Sequence, residues 1–132
     1  MKKKVFTAIG LMSGTSVDGV DLSIIKSDGH SKFEPVLNRY FDFDEYLGKK
    51  ILELRDKVSS IENLKKYRLE LDNLEKDITL FHSKLIDKTV KEYQQHIDLI
   101  GFHGQTIFYD SKLKISKQLG DGNLLSQLLK NI

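Results

Sequence analysis

The sequence predicts an α/β fold, a mixed sheet with an N-terminal antiparallel meander and packed helices. Three observations predict it. Apolar residues alternate with period two up to about Phe43, then recur with a period near 3.6 as far as about Gln95. Clusters of Gly, Ser, Thr and Asp separate the early apolar runs. A compact apolar run, residues 97–102, returns after the helical stretch, the alternation expected of an α/β sheet.

Taken in order, residues 4–12 and 19–26 read as two strands joined by the turn Ser13-Gly14-Thr15-Ser16. A second turn, Ser27 to Ser31, leads into a third strand at 33–43. Pro35, the only proline, belongs near that strand's start or on a sheet edge, where its missing N–H does no harm. Residues 44–58 carry Tyr46, Leu47, Ile51, Leu54 and Val58 at helical spacing. Ser59-Ser60 end that helix, and Ser60 with Asn63 caps the next. From Ile61 to about Gln95 one long helix is expected, striped by Leu64, Tyr67, Leu71, Leu74, Ile78, Phe81 and Leu85. The stripe fits an amphipathic helix packed on a sheet, and it also fits a coiled-coil seam for a partner helix. Tyr67 and Phe81 at d positions suit the sheet better. Residues 97–102 read as a buried strand, 107–109 and 114–119 as short strands around an Asp110-Ser111-Lys112 turn, and Asn123 as the cap of a last helix, 124–130.

At 132 residues the chain has the size of one domain, and no linker divides it. With 39% hydrophobic and 30% charged residues it reads as globular. Twenty-one basic residues against 19 acidic ones leave a net charge of +2, which selects no nucleic acid or other polyanion as partner. Lys2-Lys3-Lys4 precedes an apolar run too short to span a membrane and without a cleavage site, so the expectation is a cytoplasmic protein. The absence of cysteine excludes disulfides, thiolate catalysis and cysteine-held metals.

The richest chemistry lies in the first turn. Gly14 and Gly19 can take positive φ and admit a ligand to the backbone, while successive N–H groups and the Thr15 and Ser16 hydroxyls can form an anion-binding nest. A phosphate-binding hairpin is one reading and an ordinary hydroxyl-rich turn is the other. A second cluster, His103-Gly104-Gln105-Thr106, follows the 97–102 strand at its carboxyl end, where open α/β sheets bind ligands. Asp121, between Gly120 and Gly122, offers a carboxylate on accessible backbone. His30, His82 and His96 lack metal-ligand spacing and read as structural. A Ser16–His103–Asp121 hydrolase triad lacks the G-x-S-x-G elbow.

These stretches together carry a family resemblance. Residues 10–21 match G-x-M-S-G-T-S-x-D-G-V-D, residues 101–106 match G-x-H-G-Q-T, and Gln118-Leu119-Gly120-Asp121 matches Q-I-G-D with Leu for Ile. In this the chain resembles the anhydro-N-acetylmuramic acid kinases of the actin-like (ribonuclease H-like) sugar-kinase superfamily, within the islands 9–25 and 100–123. The resemblance implies that Gly14, Thr15, Ser16, Val17, Asp18, Gly19, Val20 and Asp21 line the phosphates of ATP, with Mg2+ as companion ion. It implies that His103, Gly104, Gln105, Thr106, Gly120 and Asp121 form the sugar-side wall, against an amino-sugar substrate. Family members continue well beyond this length, so residues 1–132 are expected to be an incomplete N-terminal domain, a fragment or split half whose catalytic aspartate lies past Ile132. A second chain carrying the missing half is one implied partner, and the resemblance leaves room for a family-like homodimer. The competing expectation is a non-catalytic module that binds a phosphate or nucleotide through the hairpin, or a protein through the long helix.

Overall fold

The computed structural model describes residues 4–130, so Lys2 and Lys3 of the basic start lie outside the described residues. Alternation places Ile9, Leu11 and Ser13 of β1 (Phe6–Ser13) on the same side as Val20, Leu22 and Ile24 of β2 (Gly19–Ser27), and all are buried. β3 (Phe33–Asp42) pairs antiparallel with β2, completing the meander. It is an edge strand with most residues exposed, and Pro35 sits beside a bulge where Ile24 faces Leu37 and Ile25 faces Pro35.

β4 (Leu99–Phe102) joins β1 in parallel, giving the order β3-β2-β1-β4. Thr7 and Asp98 clip the start of this pairing: the Asp98 amide donates to the Thr7 carbonyl and the Thr7 amide to Asp98 Oδ2, each at 2.8 Å. That bond, then the His96 and Lys4 charges, holds the Asp98 carboxyl below its ordinary range. The expectation of a buried strand is corrected here. β4 has a neighbour on one side only, and Leu99 is 55% exposed. Its apolar run reflects packing of Ile97 and half-burial of Ile100 and Phe102 rather than cover on both faces.

α1 (Glu45–Lys57) begins where Asp44 accepts a hydrogen bond from the Leu47 amide, a cap that contributes about 1 kcal/mol. α2 (Ile61–Lys66) begins in the same way at Ser60, whose hydroxyl oxygen accepts from the Asn63 amide. The expected single long helix is in fact two. At Tyr67 the backbone leaves helical geometry (φ −101°, ψ 22°), and α3 runs Arg68–Tyr93. α2 fully buries none of its residues, and only Leu64 packs in part against the core, so little holds its last turn in line with α3. Gln94, in the left-handed region at φ 59°, ends α3.

α3 crosses the inner face of the sheet, and its contacts trace the crossing. Glu92 pairs with Arg39 of β3, Lys88 lies over the Phe41 ring, Phe81 stacks on Phe43, and His82 meets Phe102 of β4 edge-on. Leu71, Leu74, Ile78 and Leu85 are therefore buried in this chain's own core with Ile9, Leu22, Ile24 and Ile51. Of the two readings of the helical stripe, packing within the chain is the one realised. Among the described residues the opposite sheet face carries no helix, and Gly10, Met12 and Asp21 on it are exposed.

β5 (Gln105–Asp110) and β6 (Ile115–Leu119) form a separate two-stranded sheet, followed by α4 (Gly122–Leu128). The cap of α4 is Asp121 rather than Asn123: its Oδ1 accepts from the Leu124 amide at 3.0 Å, while its own amide donates to Thr79 Oγ1. The tertiary bond to Thr79 fixes Asp121 at the helix start, and Asn123 falls inside the first turn. Among the described residues no helix is long and apolar enough to cross a membrane.

His82 gives the fold a pH dependence. It is 1% exposed, its Nδ1 lies 2.7 Å from the Ile78 carbonyl, and burial pushes its pKa below the ordinary histidine value. A histidine depressed in the folded state binds its proton more readily when unfolded, so stability falls as pH drops below about 6.5. Denaturant midpoints between pH 7 and 5 should decline in the native chain, with a slope of at most about 1.4 kcal/mol per pH unit from this residue. His82→Met should flatten the decline. An equal slope in both proteins would assign it to other groups.

Candidate functional site

The turn after β1 is held by its carbonyls. The Gly14 carbonyl accepts from the Val17 amide at 3.2 Å and from Gln105 Nε2 at 3.2 Å. The Asp18 carbonyl accepts from the Phe43 amide at 3.2 Å, and the Thr15 carbonyl accepts from an N–H of Arg55 in α1. Among the described residues, the amides of Thr15, Ser16 and Asp18 donate to no protein acceptor, and all three residues are exposed. Anchored carbonyls and free amides are what an anion-binding concavity requires. At the centre, Val17 stands at φ 58° with its side chain 7% exposed. A β-branched residue in the left-handed region is strained by about 1–2 kcal/mol and persists because the flanking bonds fix it.

The two glycines of this segment do different work. A Cβ on Gly14 would meet only Ser16 Oγ, at 3.9 Å, so the space there is open. A Cβ on Gly19 would lie 2.3 Å from the Phe41 carbonyl oxygen and 2.6 Å from the Tyr40 hydroxyl. Gly19 thus answers to the close approach of β3, and neither glycine has the positive φ the sequence suggested; Val17 has it instead. The side chains of Val17 and Val20 point into the core, leaving Thr15, Ser16, Asp18 and Asp21 exposed.

The second cluster meets the first directly. Ser13 Oγ donates to the Gly104 carbonyl at 2.8 Å, a buried bond, and Gln105 Nε2 donates to the Gly14 carbonyl. Both bonds span 91 positions in sequence. Gln105 and Thr106 begin β5, so only His103 and Gly104 are loop, which narrows the loop expected over 103–106. Gln105 is fully buried, and its Oε1 has no hydrogen-bond partner among the described residues. Gly104 has φ +78° and lies against Leu119 and Gly120, while a Cβ on Gly120 would strike the Phe102 ring at 2.9 Å. The 101–106 and 118–121 segments therefore pack backbone on backbone. Gly120 is tied further by its amide, which donates to Glu75 Oε2 at 3.1 Å.

Two grooves flank this junction. An open one of about 590 Å³, on the bare sheet face, brings Asp21 and His103 together with Met12 and Ser23. The other, about 320 Å³, is lined by Thr15 and Thr106 with Arg55, Ser59, Phe108 and Tyr109. Asp121 stands apart at the start of α4, with one carboxylate oxygen committed to its cap. Among the described residues no cluster of three or more His, Asp or Glu side chains could hold a metal by itself. Partial desolvation and the carboxylates of Asp42, Asp18 and Asp21 hold the Tyr40 phenol above its ordinary range, so the field beside the turn is negative. Sequence reasoning gave no site role to Ser13 or Arg55. It placed Ser13 at the start of the turn, whereas the structure makes it the last, buried residue of β1, and Arg55, forty residues away in a helix, carried no signal.

Comparison with known proteins agrees with the motifs. The family profile described as anhydro-N-acetylmuramic acid kinase matches residues 6–130. A protein of that name from Pelagibacter ubique (strain HTCC1062) is 52% identical across 97% of this chain. Its namesake from Agrobacterium fabrum (strain C58 / ATCC 33970) is 33% identical across 94% of the chain, and one from Brucella canis (strain ATCC 23365 / NCTC 10854 / RM-666) is 34% identical across 91%. The chain spans about a third of the length of these curated relatives, between 33% and 34%. With its mixed α/β fold and its profile match over residues 6–130, the chain belongs to the anhydro-N-acetylmuramic acid kinase family.

Proposed function

We propose that this chain supplies the nucleotide-phosphate turn and part of the sugar wall of an ATP-dependent kinase acting on 1,6-anhydro-N-acetylmuramic acid. In that reaction water adds across the 1,6-anhydro bridge and O6 takes the γ-phosphoryl group of ATP, giving N-acetylmuramic acid 6-phosphate and ADP in cell-wall sugar recycling. One observation carries the reading: the Ser13–Gly104 and Gln105–Gly14 hydrogen bonds join the two motif segments into one end of the fold. A phosphate donor and a sugar acceptor have to meet within one such unit.

Each group has a stated task. The free amides and hydroxyls of Thr15 and Ser16 bind phosphate oxygens, Gly14 leaves the backbone open to them, and Asp18 and Asp21 face the solvent side. Mg2+, held through phosphates and water with one of these carboxylates, would neutralise charge on the transferring group. His103 serves the sugar as an exposed donor or acceptor, with Thr106 beside it. Gln105, being buried, acts by holding the turn in place. The catalytic base is not assigned to any residue of this chain; it belongs to the portion found in the longer relatives. We place the protein in the cytoplasm, where ATP is available.

The competing module reading loses its helical half, because the α3 stripe is consumed in the core. Its phosphate-binding half shares the turn, and turnover separates the two. Nucleotide binding is the direct test of the site. ATP with magnesium should shift the backbone amide resonances of residues 14–18 in the isolated chain. Gly14→Ala should weaken the effect while leaving the remaining spectrum and the melting temperature nearly unchanged, since a Cβ meets no atom closer than 3.9 Å. If ATP moves only resonances distant from the turn, the assignment fails.

A further inference from the structure

The phosphate turn carries a charge problem. Residues 13–21 include two carboxylates, Asp18 and Asp21, and no cation, and Asp42 adds a third charge beside Tyr40. A polyphosphate approaching this turn meets like charge. Among the described residues, the one basic side chain in hydrogen-bond contact with residues 13–21 is Arg55, from the last turn of α1.

Its position suits a ligand as well as a scaffold. The guanidinium has five N–H donors, and one of them is engaged by the Thr15 carbonyl. Arg55 is half-buried, forms no salt bridge among the described residues, and shares the smaller groove with the hydroxyls of Thr15, Ser59 and Thr106. That groove is the donor-rich side of the turn. The larger groove across the sheet presents the Asp21 carboxylate instead. An anion bound on the free amides of Thr15 and Ser16 is drawn toward the side where the cation stands.

We propose that Arg55, which lies in none of the family motifs, is the cation of the nucleotide site: it fixes the Thr15 carbonyl and directs its remaining N–H groups to the phosphate chain in the groove beside Thr106. This rests on the nucleotide reading above and adds a residue and a direction to it. The phosphates run toward α1 and β5 rather than across the bare sheet face. The same contact couples the pose of the turn to α1, so Arg55 positions the amides as well as contacting the ligand.

The test uses the 132-residue chain and two probes, ATP with magnesium and inorganic tripolyphosphate, with affinities read by titration calorimetry. Arg55→Gln should weaken both by about tenfold or more, the scale of a hydrogen bond to a charged group. Arg55→Lys, which restores charge without the planar fork, should recover part of the loss. Lys49→Gln removes an exposed charge from the same helix and should cost less than about fivefold. If Arg55→Gln does not fold, a measurable loss in Arg55→Lys carries the proposal, and native-like affinity in Arg55→Lys overturns it. Equal affinities in the native chain and Arg55→Gln overturn the role of Arg55 and leave the nucleotide site standing. Failure of the native chain to bind either probe removes the nucleotide site and Arg55 with it.

Discussion

Residues 1–132 incubated with ATP, magnesium and 1,6-anhydro-N-acetylmuramic acid should give no sugar phosphate above background. The described residues furnish donors around one turn and one strand end, and they assign no base to the attacking water. Loss of a general base alone lowers a rate by about 10²–10⁴. Loss of preorganised contacts to the transferring phosphoryl group removes about 10²–10³ more per donor. Adding, as a separate chain, the portion of the Pelagibacter ubique relative that this chain does not cover should raise turnover by orders of magnitude if the two dock. Product is followed by coupled ADP release and by mass of the sugar phosphate. Robust turnover by residues 1–132 alone would mean that the base lies within them, and Asp18, Asp21 and Asp121 would be the residues to substitute.

Gly104→Ala should be the most damaging single substitution at the junction. The residue sits at φ +78°, and its Cβ would stand 2.3 Å from the Leu119 carbonyl oxygen and 3.2 Å from the Gly120 Cα. Left-handed backbone and backbone overlap together cost about 2–5 kcal/mol, against a total stability of about 5–15 kcal/mol for a domain of this kind. The expected result is a large drop in urea midpoint, accompanied by loss of protection at Ser13, whose hydroxyl donates to the Gly104 carbonyl, and at Gln105, the next residue in the chain. Gly122→Ala is the matched control. It has nothing within 4 Å and no positive φ, and should change stability by less than about 0.5 kcal/mol. Similar midpoints for the two variants would show that the 101–106 and 118–121 segments separate easily.

What the sequence disclosed depended on whether the deciding contact was local. Asp44 and Ser60 each accept from an amide three residues downstream, a distance that sequence spacing reports; Ser60 caps its helix as expected, and the helix expected from residue 44 begins at that residue's cap. Asp121 and Asn123 were both eligible caps, and the choice was made by Thr79, forty-two positions away. Gly19 resembles a ligand-facing glycine until Tyr40 and Phe41 arrive across the sheet. The stripe from Leu64 to Leu85 was legible as a buried face, while the break at Tyr67 was not, because no proline or glycine marks it. The motif segments were legible as a family signature through resemblance. The division of labour among them was not: Gln105 is hidden and Ser13 joins the two segments. Arg55 reaches the turn through tertiary structure alone.

The parallel pairing of β1 with β4 sets the order in which this site is built. β1, β2 and β3 are consecutive hairpins whose pairing forms within microseconds. Joining Thr7 to Asp98, or Ser13 to Gly104, closes a loop of 91 positions at an entropic cost of about 4 kcal/mol. That closure becomes favourable only once α1 and α3 have covered the inner sheet face. During synthesis the turn after β1 therefore emerges early and waits, strained at Val17 and without its partners Gly104 and Gln105, until the chain as far as β5 has followed it. A nascent chain stalled before Gly104 has the hairpin without its brace, and should show the turn as exchange-labile even where β1 and β2 are already protected.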